Sequence, residues 1–70
     1  MKIKNWVNIT EHQWKNIRNR DEVGIRRVDN LYIAYVKIHS RMFLRVDISN
    51  RPLTLLNANS DAILYMRKNP

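Results

Sequence analysis

The sequence predicts an α+β domain in which an N-terminal helix, a three-stranded antiparallel meander and a C-terminal helix pack together, the C-terminal helix on one sheet face. Three observations predict it: a helix-capping pattern near the N-terminus, an alternation of apolar and charged residues in the middle, and helically spaced apolar residues at the end. A chain of 70 residues is long enough for one domain, so we assign 1–70 to a single domain.

The N-terminal helix is predicted from a capping box. The Thr10 side chain can accept from the backbone amide of Gln13, and the Gln13 side chain can reach back to Thr10. Trp14 and Ile17 then share a face at a spacing of three, and they provide a narrow apolar stripe. We therefore expect a helix over about 10–19.

The sheet is predicted over about 23–48. A first strand at 23–28 is followed by Asp29-Asn30, a dipeptide typical of tight turns, and by a second strand rich in β-branched and aromatic residues at 31–39. The third strand, at 41–48, alternates strictly between apolar and mostly charged positions. Short connections between successive strands favour an antiparallel meander.

The alternation also predicts which side chains are buried. Side chains point alternately to the two faces of a strand, so the apolar set of the third strand must form the core face. We expect Leu44, Val46 and Ile48 to be buried and Arg41, Arg45 and Asp47 to be exposed. A slip of one residue would reverse this assignment.

The outer face follows by subtraction and mixes cations with aromatic rings. Guanidinium groups can bind phosphates or guanine edges, and aromatic rings can stack on bases. An alternative is an ordinary solvated face, in which the apolar members pair across strands and only stabilise the sheet. The candidate nucleic-acid-binding residues are Arg26, Arg27, Tyr35, Lys37, Arg41, Phe43 and Arg45, with Ile33 and His39 on the same face.

The last third of the chain is ambiguous between a C-terminal helix and a hairpin over about 53–67. Leu56, Ile63 and Met66 fit the spacing of one helix face, with Pro52 near its start. A strand at 53–56 followed by a turn fits as well. We favour the helix by a small margin.

Composition excludes several classes of chemistry. The chain has no cysteine and one glycine, so thiol chemistry and a glycine-rich phosphate loop are absent. The six carboxylates are scattered, and the two histidines lie in no recognisable catalytic or metal-ligand spacing. We expect no enzyme, no catalytic residue, no metal site and no cofactor.

The charge balance indicates the class of partner. Thirteen Lys and Arg against six Asp and Glu give a net charge of +7, which favours binding to an anionic surface. The longest apolar runs are far shorter than the ~20 residues of a membrane span, and the N-terminus lacks the apolar segment of a secretory signal. We therefore expect a cytoplasmic protein with no membrane partner, located in a host cell if a phage encodes it. The abundance of Asn and Ile suggests an AT-rich genome, such as that of a phage or mobile element.

The stretches Gly24–Val28, Tyr32–Val36 and Phe43-Leu44 resemble the AP2-type and phage-integrase N-terminal DNA-binding domains. The resemblance covers about 23–67. It implies three antiparallel strands on one C-terminal helix, with the sheet placed in the DNA major groove. It also implies DNA contacts from Arg26, Arg27, Tyr35, Lys37, Arg41 and Arg45. The chain departs from the family at Arg45, where the third strand usually ends in glycine.

These observations predict a small basic nucleic-acid-binding module, most simply a regulatory DNA-binding domain of phage or mobile-element origin. RNA is a further possible ligand because single strands use the same stacking chemistry. The alternative is a protein-binding module, such as a phage-encoded inhibitor of a host nucleic-acid enzyme, which would dock on an acidic protein surface. The sequence does not indicate an oligomeric state.

Overall fold

The structure, a computed structural model that describes residues 2–70, is a five-stranded antiparallel sheet with one α-helix on one face. The strand order is β1-β2-β3-β4-β5, so each strand pairs with its neighbours in sequence. The α+β class is confirmed, whereas the N-terminal helix and the three-stranded meander are wrong. The elements are β1 (Trp6–Thr10), β2 (Gln13–Asn16), β3 (Glu22–Val28), β4 (Leu31–Ile38), a 3-10 turn (His39–Arg41), β5 (Leu44–Asp47) and α1 (Leu55–Lys68).

A β-hairpin replaces the expected N-terminal helix. Trp6 pairs with Asn16 and Trp14 pairs with Asn8, so both indoles point to the face that carries α1, which we call the inner face. Trp6 is 6% exposed and Trp14 packs against the same core. A helix over 10–19 would have offered the core only Trp14 and Ile17, whereas the hairpin adds Trp6 and leaves Ile17 67% exposed.

The capping pattern has a different role in this hairpin. The Thr10 hydroxyl donates to the Gln13 side-chain oxygen at 3.2 Å, across the turn that joins β1 to β2. The two residues that were expected to cap a helix therefore meet at a strand turn. Local side-chain pairing of this kind fits either structure, and the tertiary contacts of Trp6 decide between them.

The core lies between α1 and the middle of the sheet. Ala58, Ala62 and Met66 of the helix are fully buried, and they face Ala34 and other buried residues of β3 and β4. Alanine at the contact lets a helix approach a sheet closely, because no long side chain separates the two backbones. The indole N–H of Trp6 donates to the backbone carbonyl of residue 69 at 2.9 Å and so connects β1 to the end of the helix.

The C-terminal helix is confirmed, and the hairpin alternative over 53–67 is not formed. Thr54 is its N-cap, with the hydroxyl oxygen accepting from the Asn57 amide at 3.3 Å, so the helix starts at Leu55. Leu53 instead returns to the sheet, where it exchanges two backbone hydrogen bonds with Tyr32, each 2.7 Å long. Within residues 2–70, no helix combines the length and apolarity needed to cross a membrane.

Two expected core residues, Leu44 and Val46, are largely exposed. They lie on the inner face as predicted, opposite Ile38 and Val36, yet their exposed fractions are 49% and 43%. The reason is that α1 packs mainly on β3 and β4 and leaves β5 uncovered. Ile48 is half-buried at the end of the strand.

One buried hydroxyl joins three parts of the fold. Ser49, 3% exposed, follows β5, and its oxygen accepts from the backbone N–H of Ala34 at 3.1 Å. The same hydroxyl donates to the Asp61 carboxylate on α1 at 3.0 Å. Ser49 therefore connects β4 and the segment after β5 to the helix.

Replacing Ser49 by alanine tests this connection. In Ser49→Ala the buried Ala34 amide loses its acceptor, so we expect the free energy of unfolding to fall by about 1–3 kcal/mol. Urea denaturation measures the change. Ser60→Ala is the matched control, because the exposed Ser60 hydroxyl donates to the Leu56 carbonyl of its own helix. Equal stability of the two variants would contradict the role given to Ser49.

Candidate nucleic-acid interface

The face opposite α1, which we call the outer face, is organised in rows that run across the strands. Residues that pair directly in an antiparallel sheet point to the same side, so the register defines each row. The first row is Lys15, Glu22, Lys37 and Arg45; the second is Gln13, Gly24, Tyr35 and Asp47; the third is Arg26 and Ile33. Four cations and two carboxylates thus surround a single aromatic ring.

The Tyr35 side chain lies flat against the sheet instead of projecting away from it. Its ring occupies the space beside Gly24, its direct partner on β3, so closely that a Cβ at residue 24 would lie 2.6 Å from the Tyr35 Cζ. Glycine is therefore required here by the close approach of the ring. The Arg45 guanidinium lies 5.9 Å from the ring centroid, within cation–π range. The half-buried ring is a platform with a cation over it.

Two cations of the outer face stand directly opposite each other. Lys37 and Arg45 are Cα partners across β4 and β5. Within residues 2–70 neither of them forms an ion pair, although Glu22 is the partner of Lys37 on the other side. Like charges directly opposite are unfavourable in a sheet, so this pair is not explained by the stability of the domain.

Arg26 crosses β4 to reach an acid on β5. Its guanidinium lies 3.4 Å from the Asp47 carboxylate, two strands away. The long side chain passes the position of its direct partner Ile33, which explains why Ile33 is only 7% exposed and not the exposed apolar residue that the sequence predicted. A partly exposed pair of this kind contributes about 1 kcal/mol or less, so an anion can compete for Arg26.

Three of the seven candidate residues lie off the outer face. Arg27 points to the other side of β3, because β3 pairs with β4 without the bulge that would have brought it round, and its Nε donates to the Asp29 carbonyl at 2.7 Å. Arg41 belongs to the 3-10 turn, and Phe43 lies in the connection that follows. The structure therefore brings together Arg26, Tyr35, Lys37 and Arg45.

The connection between β4 and β5 forms an apolar tip, made of Met42 and Phe43. Both residues adopt left-handed backbone angles, with φ of 57° and 60°, which are unusual for side chains of this size. Met42 is 93% exposed, and the Phe43 and His39 rings pack in a T-shaped arrangement with 4.9 Å between centroids. The tip projects apolar surface from the basic end of the sheet.

Lys15 is the one outer-face cation that the sequence analysis missed. It was placed on a helix, and only the strand alternation of Gln13 and Lys15 with Trp14 could have revealed it.

Residues 2–70 contain no group of three or more acidic, His or Cys side chains able to hold a metal ion. Burial, and then the Asp21 carboxylate, raise the pKa of Tyr65 above its usual 10.0, so this phenol is neutral at physiological pH.

Comparison with protein-family models, curated proteins and solved structures found no match for this chain. The resemblance to AP2-type and phage-integrase N-terminal domains therefore stays a prediction. The outer face is where the unexplained charge of the chain and the half-buried Tyr35 ring meet.

The contact between Tyr35 and Gly24 is tested by a double-mutant cycle. Gly24→Ala forces the ring away from β3, so we expect the free energy of unfolding to fall by about 1–3 kcal/mol. In a Tyr35→Ala background the same change meets no ring and should be neutral or stabilising, because alanine suits a strand better than glycine. Equal destabilisation in the two backgrounds would show that the ring does not lie on Gly24.

Proposed function

We propose that the chain binds DNA through its outer face. The observation that carries this proposal is the Lys37–Arg45 pair, two cations that stand directly opposite each other beside the Tyr35 ring and have no ion-pair partner among residues 2–70. A phosphate placed between the two side chains would turn their repulsion into a shared attraction. Arginine adds a planar fork that suits phosphate and guanine geometry.

The overall charge supports the same ligand. The chain carries +7, and the outer face contributes four cations against two carboxylates. A surface of this sign attracts a polyanion over about a Debye length and orients it before contact. Contacts with phosphates then release counterions, which is the main source of affinity in sequence-independent binding.

Tyr35 adds a stacking contact to the electrostatic contacts of the cations. A ring held down on the sheet offers its face to a base or sugar without losing further conformational freedom. A sheet that presents cations on one side and carries a helix on the other is also what the resemblance to AP2-type and integrase N-terminal domains implies. By that resemblance, regulation in a phage or mobile element is the role we propose.

Salt titrations of charge variants test the proposal. If Lys37 and Arg45 bind phosphates, Lys37→Gln and Arg45→Gln should each weaken binding to duplex DNA and lower the log–log salt slope by ~0.9. Tyr35→Ala should reduce affinity by about 1–3 kcal/mol with little change in slope, because stacking releases no counterions. Fluorescence anisotropy with a labelled duplex at several salt concentrations measures both quantities.

Arg51→Gln is the matched control for these variants. Arg51 is exposed and lies outside the strands, after the end of β5, so its removal changes the net charge equally without removing a proposed phosphate contact. Salt slopes that fall as much in Arg51→Gln as in Lys37→Gln and Arg45→Gln would reject the outer face as the DNA site. A parallel titration with single-stranded RNA determines which nucleic acid binds more tightly.

The apolar tip favours a second candidate function, binding to a host protein with an acidic surface. Met42 and Phe43 expose apolar surface between Arg41 and Arg45, and aromatic and Met side chains near arginine are typical of interface hot spots. In that case DNA binds weakly at ~0.15 M salt, and Phe43→Ala abolishes capture of the partner protein. A Phe43→Ala variant that retains full DNA affinity and loses no protein partner would exclude this candidate.

A further inference from the structure

The two edges of the sheet differ in how well they are protected. At the β1 edge the register shifts between Asn8 and Thr10, and the Asn8 amide side chain donates to the Thr10 carbonyl at 2.6 Å. Bulges of this kind block the approach of another strand. The β5 edge, in contrast, pairs in regular register with β4 from Leu44 to Asp47.

The hydrogen-bond phase shows which backbone groups β5 presents to its free edge. The Ile48 N–H donates to the Ala34 carbonyl at 2.7 Å, so Ile48 directs its backbone N–H at β4. Because the pattern alternates, Leu44 and Val46 also direct their backbone groups at β4. Arg45 and Asp47 therefore point their N–H and C=O groups outward, away from the sheet.

We propose that a second copy of this chain pairs antiparallel with β5 about a two-fold axis at Val46. The two outward-pointing residues then exchange backbone hydrogen bonds with each other, Arg45 with the partner's Asp47 and Asp47 with the partner's Arg45. Their side chains lie on the same face, so the pairing also places opposite charges opposite each other twice. The result is a continuous ten-stranded sheet.

The charge pattern selects this register from its neighbours. A shift of two residues in one direction would place Arg45 opposite Arg45 of the partner subunit, and a shift in the other would place Asp47 opposite the partner's Asp47. Both alternatives oppose like charges, which destabilises a strand pair. Backbone phase and charge thus agree on a single arrangement.

The same register covers apolar surface that the single chain leaves exposed. On the inner face it places Val46 against the partner's Val46 and Leu44 against the partner's Ile48. Leu44 and Val46 are 49% and 43% exposed because α1 does not reach over them, and Leu64 of the helix is 53% exposed beside the groove between α1 and the end of β5. A second copy of the sheet edge covers what the single helix cannot.

This inference does not depend on DNA binding. Edge pairing extends the sheet sideways, so Lys15, Lys37 and Tyr35 keep facing solvent on the outer face, and the Arg45 side chain stays on that face with the partner's Asp47 opposite it. The two copies repel each other through their +7 charges, and association is therefore measured at ~0.15 M salt, where the Debye length is about 8 Å.

A cysteine introduced at the two-fold axis tests the register, since the chain has no cysteine of its own. In Val46→Cys the two thiols face each other in a non-hydrogen-bonded pair, where Cβ atoms come within about 4.5–5.5 Å, so mild oxidation should join two chains through a disulfide. In Leu44→Cys the thiols lie about 13 Å apart, four residues along the strand, and should stay reduced.

Leu44 is the matched control because its exposed fraction is close to that of Val46. Collision between free chains would therefore link both variants equally. Non-reducing electrophoresis measures the fraction linked. Selective linking of Val46→Cys supports the proposed pairing, whereas equal linking of both variants, or linking of neither, overturns it.

Charge reversal provides a second readout that needs no covalent bond. Sedimentation equilibrium of the natural sequence should show association that increases with protein concentration. Arg45→Asp alone and Asp47→Arg alone oppose like charges and should stay monomeric, whereas their equimolar mixture restores two opposite-charge pairs and should associate. Circular dichroism checks that each variant is folded. A monomeric natural chain, or a mixture no more associated than its components, contradicts the proposal.

Discussion

A single helix has to cover a sheet that is wider than itself, and the rest of the structure follows from that constraint. Five strands span about 19 Å across the sheet, whereas a helix is about 10 Å wide. Helix α1 therefore covers β3 and β4, where Ala58 and Ala62 allow a close approach. On the β1–β2 side the two indoles of Trp6 and Trp14 fill the gap. On the β5 side nothing equivalent is present within residues 2–70.

The two faces of the sheet are ordered by different contacts. Helix α1 packs on the inner face, so the outer face is held in shape by its own side chains: Tyr35 lies over Gly24, and Arg26 lies over the buried Ile33. Both arrangements lay a long side chain flat on its neighbour. The outer face is therefore ordered before any ligand binds, which lowers the entropy lost on binding.

The middle of the sheet could be predicted from the sequence because its signals are local. The alternation around Leu44 and Val46 defines the strand and its faces, and Asp29 takes the left-handed angle, φ 54°, that the turn dipeptide suggested. Alternation does not reveal whether anything lies above a face, so the burial of Leu44 and Val46 was overestimated. Whether the inner face of β5 is buried depends on how far α1 extends over the sheet, and the sequence pattern within β5 does not contain that information.

The N-terminal hairpin could not be predicted in this way because its decisive contact is non-local. Thr10 and Gln13 fit a helix cap and a strand turn equally well, and the pairing of Trp6 with the helix end, 63 residues away, favours the strand. Because residues 10–19 were predicted as a helix, Lys15 was not included in the candidate site. For Arg27, alternation alone could not exclude a bulge, and the regular β3–β4 register places its side chain on the other side of the sheet.

The central claim is that the inner face stabilises the fold while the outer face binds DNA. Amide chemical-shift mapping during titration with a short duplex at ~0.15 M salt tests it most directly, because it reports on both faces at once. The account predicts progressive shifts at Tyr35, Lys37 and Arg45, with Ala58 and Ala62 of the helix unchanged. Shifts confined to the helix or to the apolar tip, or no shifts at all, would contradict it.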